Sequence, residues 1–153
     1  MKYHTAVAFK GTFDSKFPDL RDVKKGGDRI PGRSLGELIS QGLQRHALKA
    51  SGPVNEEPFF VVPCQSGSIE YRVLCYILEP GDDPVWVVEC PRTLGRIARW
   101  RGKTEEQELG AVVTAIHETL KNDSRVGEIR WFPELPGIPF EETRYDTSPI
   151  SAS

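Results

Sequence analysis

Ile69-Glu70-Tyr71-Arg72-Val73-Leu74-Cys75-Tyr76-Ile77-Leu78 carries the strongest β signal in the chain and decides its class. β-Branched and aromatic residues dominate the run, and such side chains fit a pleated surface. Two further extended runs flank it, Phe59 to Val62 and Val85 to Cys90. The connectors Gln65-Ser66-Gly67 and Pro80-Gly81-Asp82-Asp83-Pro84 are short and rich in turn residues. Short connections join antiparallel neighbours, so the three runs predict a meander. On the central strand Ile69, Tyr71, Val73, Cys75 and Ile77 share one face, while Leu74, Tyr76 and Leu78 share the other with Glu70 and Arg72. The second face is thus partly apolar, and the expectation is that a long loop or a tail covers it, or that a partner does.

Working outward, residues 34–48 predict a helix. Ser34 and Glu37 have capping-box spacing, Leu35, Leu38, Ile39, Leu43 and Ala47 form one apolar stripe, and Ser51-Gly52-Pro53 stops continuation. A second helix opens at Thr104 with Gln107 and carries Leu109, Val112, Val113, Ile116 and Leu120 at helical spacing. Glu105, Glu106 and Glu108 fall in its first turns, where the helix dipole favours negative charge. Thr93 to Arg101 reads as a short amphipathic helix, Tyr3 to Phe9 as a first strand and Val126 to Phe132 as a last one. The predicted class is α+β, an antiparallel sheet with two main helices on one face, in the order β-α-β-β-β-(short α)-α-β. Residues 1–132 form a single domain in this reading, with a long loop over 11–33 and a Pro-rich, poorly ordered tail over 133–153.

Composition narrows the function. The chain has 153 residues, 20 basic against 22 acidic, for a formal charge of −2. That balance gives no general attraction to nucleic acid or anionic membranes. No stretch approaches the ~20 apolar residues of a membrane span, the first ten residues lack a signal-peptide core, and three cysteines without Cys-x-x-Cys spacing suit a reducing compartment. A cytoplasmic location is expected.

Several motifs fail in context. Gly32-Arg33-Ser34-Leu35-Gly36 has the nucleophile-elbow pattern, but the preceding Lys24 to Pro31 cannot be the buried strand that the elbow requires. Gly102-Lys103-Thr104 has the end of a phosphate-binding loop, yet Gly95 lies two residues too early for its spacing. His4, His46 and His117 show no metal spacing, and Cys64, Cys75 and Cys90 sit in strand-like contexts as small hydrophobes. No catalytic, cofactor-binding or metal-ligating residue is assigned.

The remaining signal is basic. Arg92, Arg96, Arg99, Arg101 and Lys103 fall within twelve residues, with Trp100 among them and no acid. On a helix Arg92, Arg96 and Arg99 share a face, which suits an acidic protein surface, a phosphate or RNA. Against this stands pairing with Glu105, Glu106 or Glu108. A second basic cluster, Lys24, Lys25, Arg29 and Arg33, lies in the first loop, and a meeting of the two would strengthen the case for an anionic partner.

The meander Ile69 to Cys90, the amphipathic Leu109 to Leu120 and the closing Glu128-Ile129-Arg130-Trp131-Phe132 together resemble the layout of small bacterial immunity proteins and related bacterial α+β domains, over residues 34–132. The resemblance implies a non-catalytic cytoplasmic protein that binds another protein, and it transfers no functional residue. The expected surface is Arg92, Arg96, Arg99, Trp100, Arg101 and Lys103. Two other readings stay open: a small enzyme or ligand-binding protein with a pocket between sheet and loop, and RNA or anion binding through the basic patch.

Overall fold

The computed structural model describes residues 2–14, 17, 21, 27–92, 102–133 and 145–150. Among the described residues nine elements follow in order: β1 (Ala6–Gly11), α1 (Arg33–Arg45), β2 (Lys49–Ala50), β3 (Val54–Glu56), β4 (Phe59–Ser66), β5 (Ile69–Glu79), β6 (Val85–Glu89), α2 (Gly102–Lys121) and β7 (Val126–Phe132). Seven strands make one sheet, β2-β4-β5-β6-β1-β7, with β3 also paired to β4. Every pairing is antiparallel. The fold is the α+β class expected, and β4-β5-β6 is the expected meander.

Alternation dictates which face is dry. Val7 and Phe9 on β1 stand opposite Val88 and Trp86 on β6, and Cys75 and Ile77 on β5 continue those rows. Leu35, Ile39 and Leu43 of α1 and Leu109, Val112, Ile116 and Leu120 of α2 pack against this face, each essentially without solvent contact. Burying one such side chain contributes about 1.5–3 kcal/mol, so the two apolar stripes hold both helices to the same side. The opposite face carries a smaller cluster, Ala8, Val87 and Phe132 with Tyr76, Leu78 and Val85 against it. Tyr145 lays its ring on Phe132 at 6.4 Å, so part of this face is covered by residues that follow the sheet.

Five local expectations need correction. Ser34 is not the cap of α1: the helix starts at Arg33 after Gly32, whose φ of +119° only glycine adopts without strain, and no side chain caps it. Gly32 also lies where a Cβ would press on the rings of Trp86 and Phe60, so core packing sets this helix start. Ser34 Oγ is left buried without a partner. Ala47 is not part of the stripe, because α1 ends at Arg45 and Ala47 turns the chain with φ +63°. α2 is already helical at Gly102, two residues before the expected cap Thr104. β1 runs from Ala6 to Gly11 rather than from Tyr3, which instead forms an isolated bridge to Ile150. β2 and β3 were not expected, since two or three residues show no periodicity.

The predicted short helix Thr93 to Arg101 lies outside the described residues, as do most of 14–27 in the first loop. Of the Pro-rich stretch, 134–144 and 151–153 lie outside them too, whereas Tyr145 to Ile150 pair with β7 and with the residues before β1.

The helices meet where Gly42 of α1 faces Thr119 of α2. A Cβ at position 42 would overlap the Thr119 side chain. Gly42→Ala should therefore lower stability by about 1–3 kcal/mol in urea unfolding, against its higher helix propensity, and the cost should shrink when Thr119→Gly removes the opposing atoms. An unchanged cost in that background would place the strain elsewhere.

Candidate functional site

The basic segment begins at Arg92, the one member of the expected surface whose side chain is described. Its guanidinium is held on two sides, donating to the Glu106 carboxylate and, 3.1 Å away, to the carbonyl of Tyr3. Arg92 thus anchors the segment to the start of α2 and to the chain before β1. Arg96, Arg99, Trp100 and Arg101 lie outside the described residues, and Lys103 belongs to the first turn of α2.

The start of α2 is likewise engaged with the sheet, through the Glu108 carboxylate and the Glu105 main chain. Ser66 Oγ donates to Glu108 Oε2 at 2.7 Å, and the Tyr71 hydroxyl donates to the Glu105 carbonyl at 3.4 Å. They hold the positive end of the helix dipole over the β4-β5 turn.

The second basic cluster lies elsewhere. Arg33 makes a two-pronged pair with Asp28 at 2.7 and 2.8 Å, and its guanidinium stands 5.2 Å from the centre of the Phe60 ring. The Arg33 hydrogen bond, with a smaller contribution from Asn55, which donates to the same Asp28, lowers the carboxyl below its usual range. Arg29 lies 3.9 Å from Glu57. Phe60 is near the start of β4 and Ser66 at its end; six residues at ~3.3 Å separate them by roughly 20 Å. Arg33 and Arg92 therefore mark opposite ends of the sheet, and the described parts of the two clusters do not merge.

On the open face a cleft of about 520 Å³ lies over Ala8 and Val85 and is rimmed by Lys10, Glu79, Asp83, Glu128 and Arg130. Lys10 Nζ sits 2.5 Å from Asp83 and 3.5 Å from Glu128. The hydrogen bond to Asp83 raises the Lys10 pKa, which keeps it an ammonium and unsuited to act as a nucleophilic amine. None of these residues was singled out from the sequence, because they come from four separate strands and turns and share no motif.

The three thiols and two of the imidazoles, His4 and His117, are taken up by the fold. Burial pushes the Cys64 thiol up to about 11 and raises those of Cys75 and Cys90 further, so all three are protonated and enclosed. His4 is buried, with Nε2 2.5 Å from Asp146 Oδ2. His117 Nδ1 accepts a hydrogen bond from the Trp131 indole at 3.1 Å, and burial lowers the His117 pKa. Among the described residues no three His, Cys, Asp or Glu side chains gather as a metal site, and no helix is long and apolar enough to cross a membrane.

Compared with models of protein families, with curated proteins and with solved structures, the chain matches none.

Two measurements check these environments. A thiol reagent should label none of the three cysteines until the chain unfolds; rapid labelling of the native protein would show that a thiol is open. For His117, the folded pKa lies below the ordinary 6.5, so the unfolded chain takes up its proton first as pH falls. Its contribution is complete above about pH 6.5 and is lost progressively as pH drops from there toward the folded pKa. Chemical denaturation of wild type and His117→Gln over this range should show a shallower decline in the variant; parallel curves would contradict the assignment.

Proposed function

We propose that this chain is a bacterial, cytoplasmic, non-catalytic protein-binding domain of the immunity-protein kind, whose partner presents an acidic surface to Arg96, Arg99, Trp100, Arg101 and Lys103. The reading is carried by one observation: the thiols, His4, His117 and the cleft lysine are each buried or held in a structural pair, so none of these groups is free to act as a nucleophile or base. The run Arg96, Arg99, Trp100, Arg101 offers the residue types that dominate protein interfaces, arginine and an aromatic. Arg92, paired inward, anchors that run rather than contacting the partner.

A second reading is favoured by the open-face cleft, whose volume falls within the ~300–1,000 Å³ of small-molecule sites. With Lys10 and Arg130 against Glu79, Asp83 and Glu128, it suits a small ligand bearing both charges.

Affinity capture from the source organism's lysate at moderate salt separates the readings, with wild type run beside Arg96→Glu/Arg99→Glu/Arg101→Glu. One protein recovered by the wild type and lost by the variant is the expected result. Recovery of the same proteins by both would reject the basic surface, and capture of RNA that falls steeply with salt would reassign it.

A further inference from the structure

Residues Tyr145-Asp146-Thr147-Ser148-Pro149-Ile150 lie on the domain in the manner of a bound peptide. Asp146 exchanges both backbone hydrogen bonds with Trp131 of the edge strand β7, at 2.7 and 3.0 Å. Its carboxylate accepts from His4 Nε2 at 2.5 Å. The His4 backbone N–H donates to the Pro149 carbonyl at 2.7 Å, and Ile150 bridges to Tyr3. Tyr145 sets its ring against Phe132 while the Arg130 guanidinium stands 4.9 Å from the ring centre.

The two sides of this contact are unequal. On the receiving side His4, Trp131 and Phe132 are buried. On the other, Tyr145 remains 44% exposed and Ile150 43%, and of the six residues only Pro149 is buried, so the segment is held by that one residue and a handful of hydrogen bonds. A strand added to a sheet edge in this way, with main-chain pairing for affinity and side-chain contacts for choice, is a recurrent mode of peptide recognition.

We infer that the groove between β7 and the residues before β1 is a recognition site for an extended partner segment carrying an aromatic residue followed by an acidic one, and that Tyr145 to Ile150 occupies it in cis until displaced. The chemistry is read from the occupant: the ring goes to Phe132 and Arg130, the carboxylate to His4, and the backbone to Trp131. Placement favours the same partner as the basic segment, because the Tyr3 carbonyl that flanks the groove also receives Arg92. The inference rests on the protein-binding reading and deepens it by naming the partner's contacting element.

The test uses the full chain and a fluorescent peptide with the sequence of residues 145–150, read by anisotropy. A tethered segment competes at an effective concentration on the order of millimolar, so wild type should bind the peptide at least ~10-fold more weakly than Tyr145→Ala/Asp146→Ala, in which the cis segment is loosened. A peptide with Asn in place of its Asp should lose most of the binding to that variant, which tests the His4 contact without altering the protein. Equal, negligible binding by both chains, with the variant's circular dichroism and unfolding midpoint near wild type, overturns the inference. A wild-type dimer abolished by Asp146→Ala also overturns it, since the groove would then belong to a second copy. Peptide binding that survives Arg96→Glu/Arg99→Glu/Arg101→Glu separates failure of the basic surface from failure of the groove.

Discussion

Trp86 is the side chain on which the arrangement turns. It stands wholly buried near the start of β6, and its indole N–H donates to the carbonyl of Gly11 at the end of β1, 3.0 Å away. Phe13 meets its ring edge-on at 5.7 Å, and Gly32 passes so close that a side chain there would touch it. One residue therefore joins the neighbouring strand, the first turn of the long loop and the start of α1. A buried indole N–H without an acceptor costs free energy, so the Gly11 carbonyl and the course of the chain after β1 are tied to this ring. The entry of α1 follows from that packing, which is why a glycine rather than a serine precedes it.

Charge is organised differently from the core. Arg33 with Asp28, Arg72 with Glu56, Arg92 with Glu106 and Arg125 with Asp123 are neutralised locally, mostly at partly exposed positions where each pair contributes about 0–1 kcal/mol. Their effect is on recognition more than on stability. Paired in this way, these four arginines add little to a long-range field.

Among the elements, legibility followed length and periodicity. β5 and the buried stripe of α2 were readable because eleven and twenty residues repeat their patterns several times. β7 matched its expected bounds, Val126 to Phe132, because apolar residues and a preceding turn delimit it. Ser34 misled because a capping box is a local preference worth about 1 kcal/mol, less than placing Gly32 against Trp86 and Phe60 is able to impose. β2 and β3 exist only as pairings to β4, so no local signal announces them.

The candidate sites divide the same way. The basic segment is a feature of composition and could be read directly; that Arg92 turns inward to Glu106 and Tyr3 depends on residues 14 and 89 positions away. The open-face cleft and the groove at β7 join residues from opposite ends of the chain, His4 to Asp146 and Lys10 to Asp83 and Glu128. By itself the sequence determined the α+β class, the meander, the two amphipathic helices and the absence of a recognisable catalytic motif, because these follow from local periodicity, turn chemistry and spacing. Tertiary structure alone decided that β1 lies between β6 and β7, where the helices begin, and which polar groups converge, because strand pairing and side-chain contact across more than a hundred residues leave no trace in any local window.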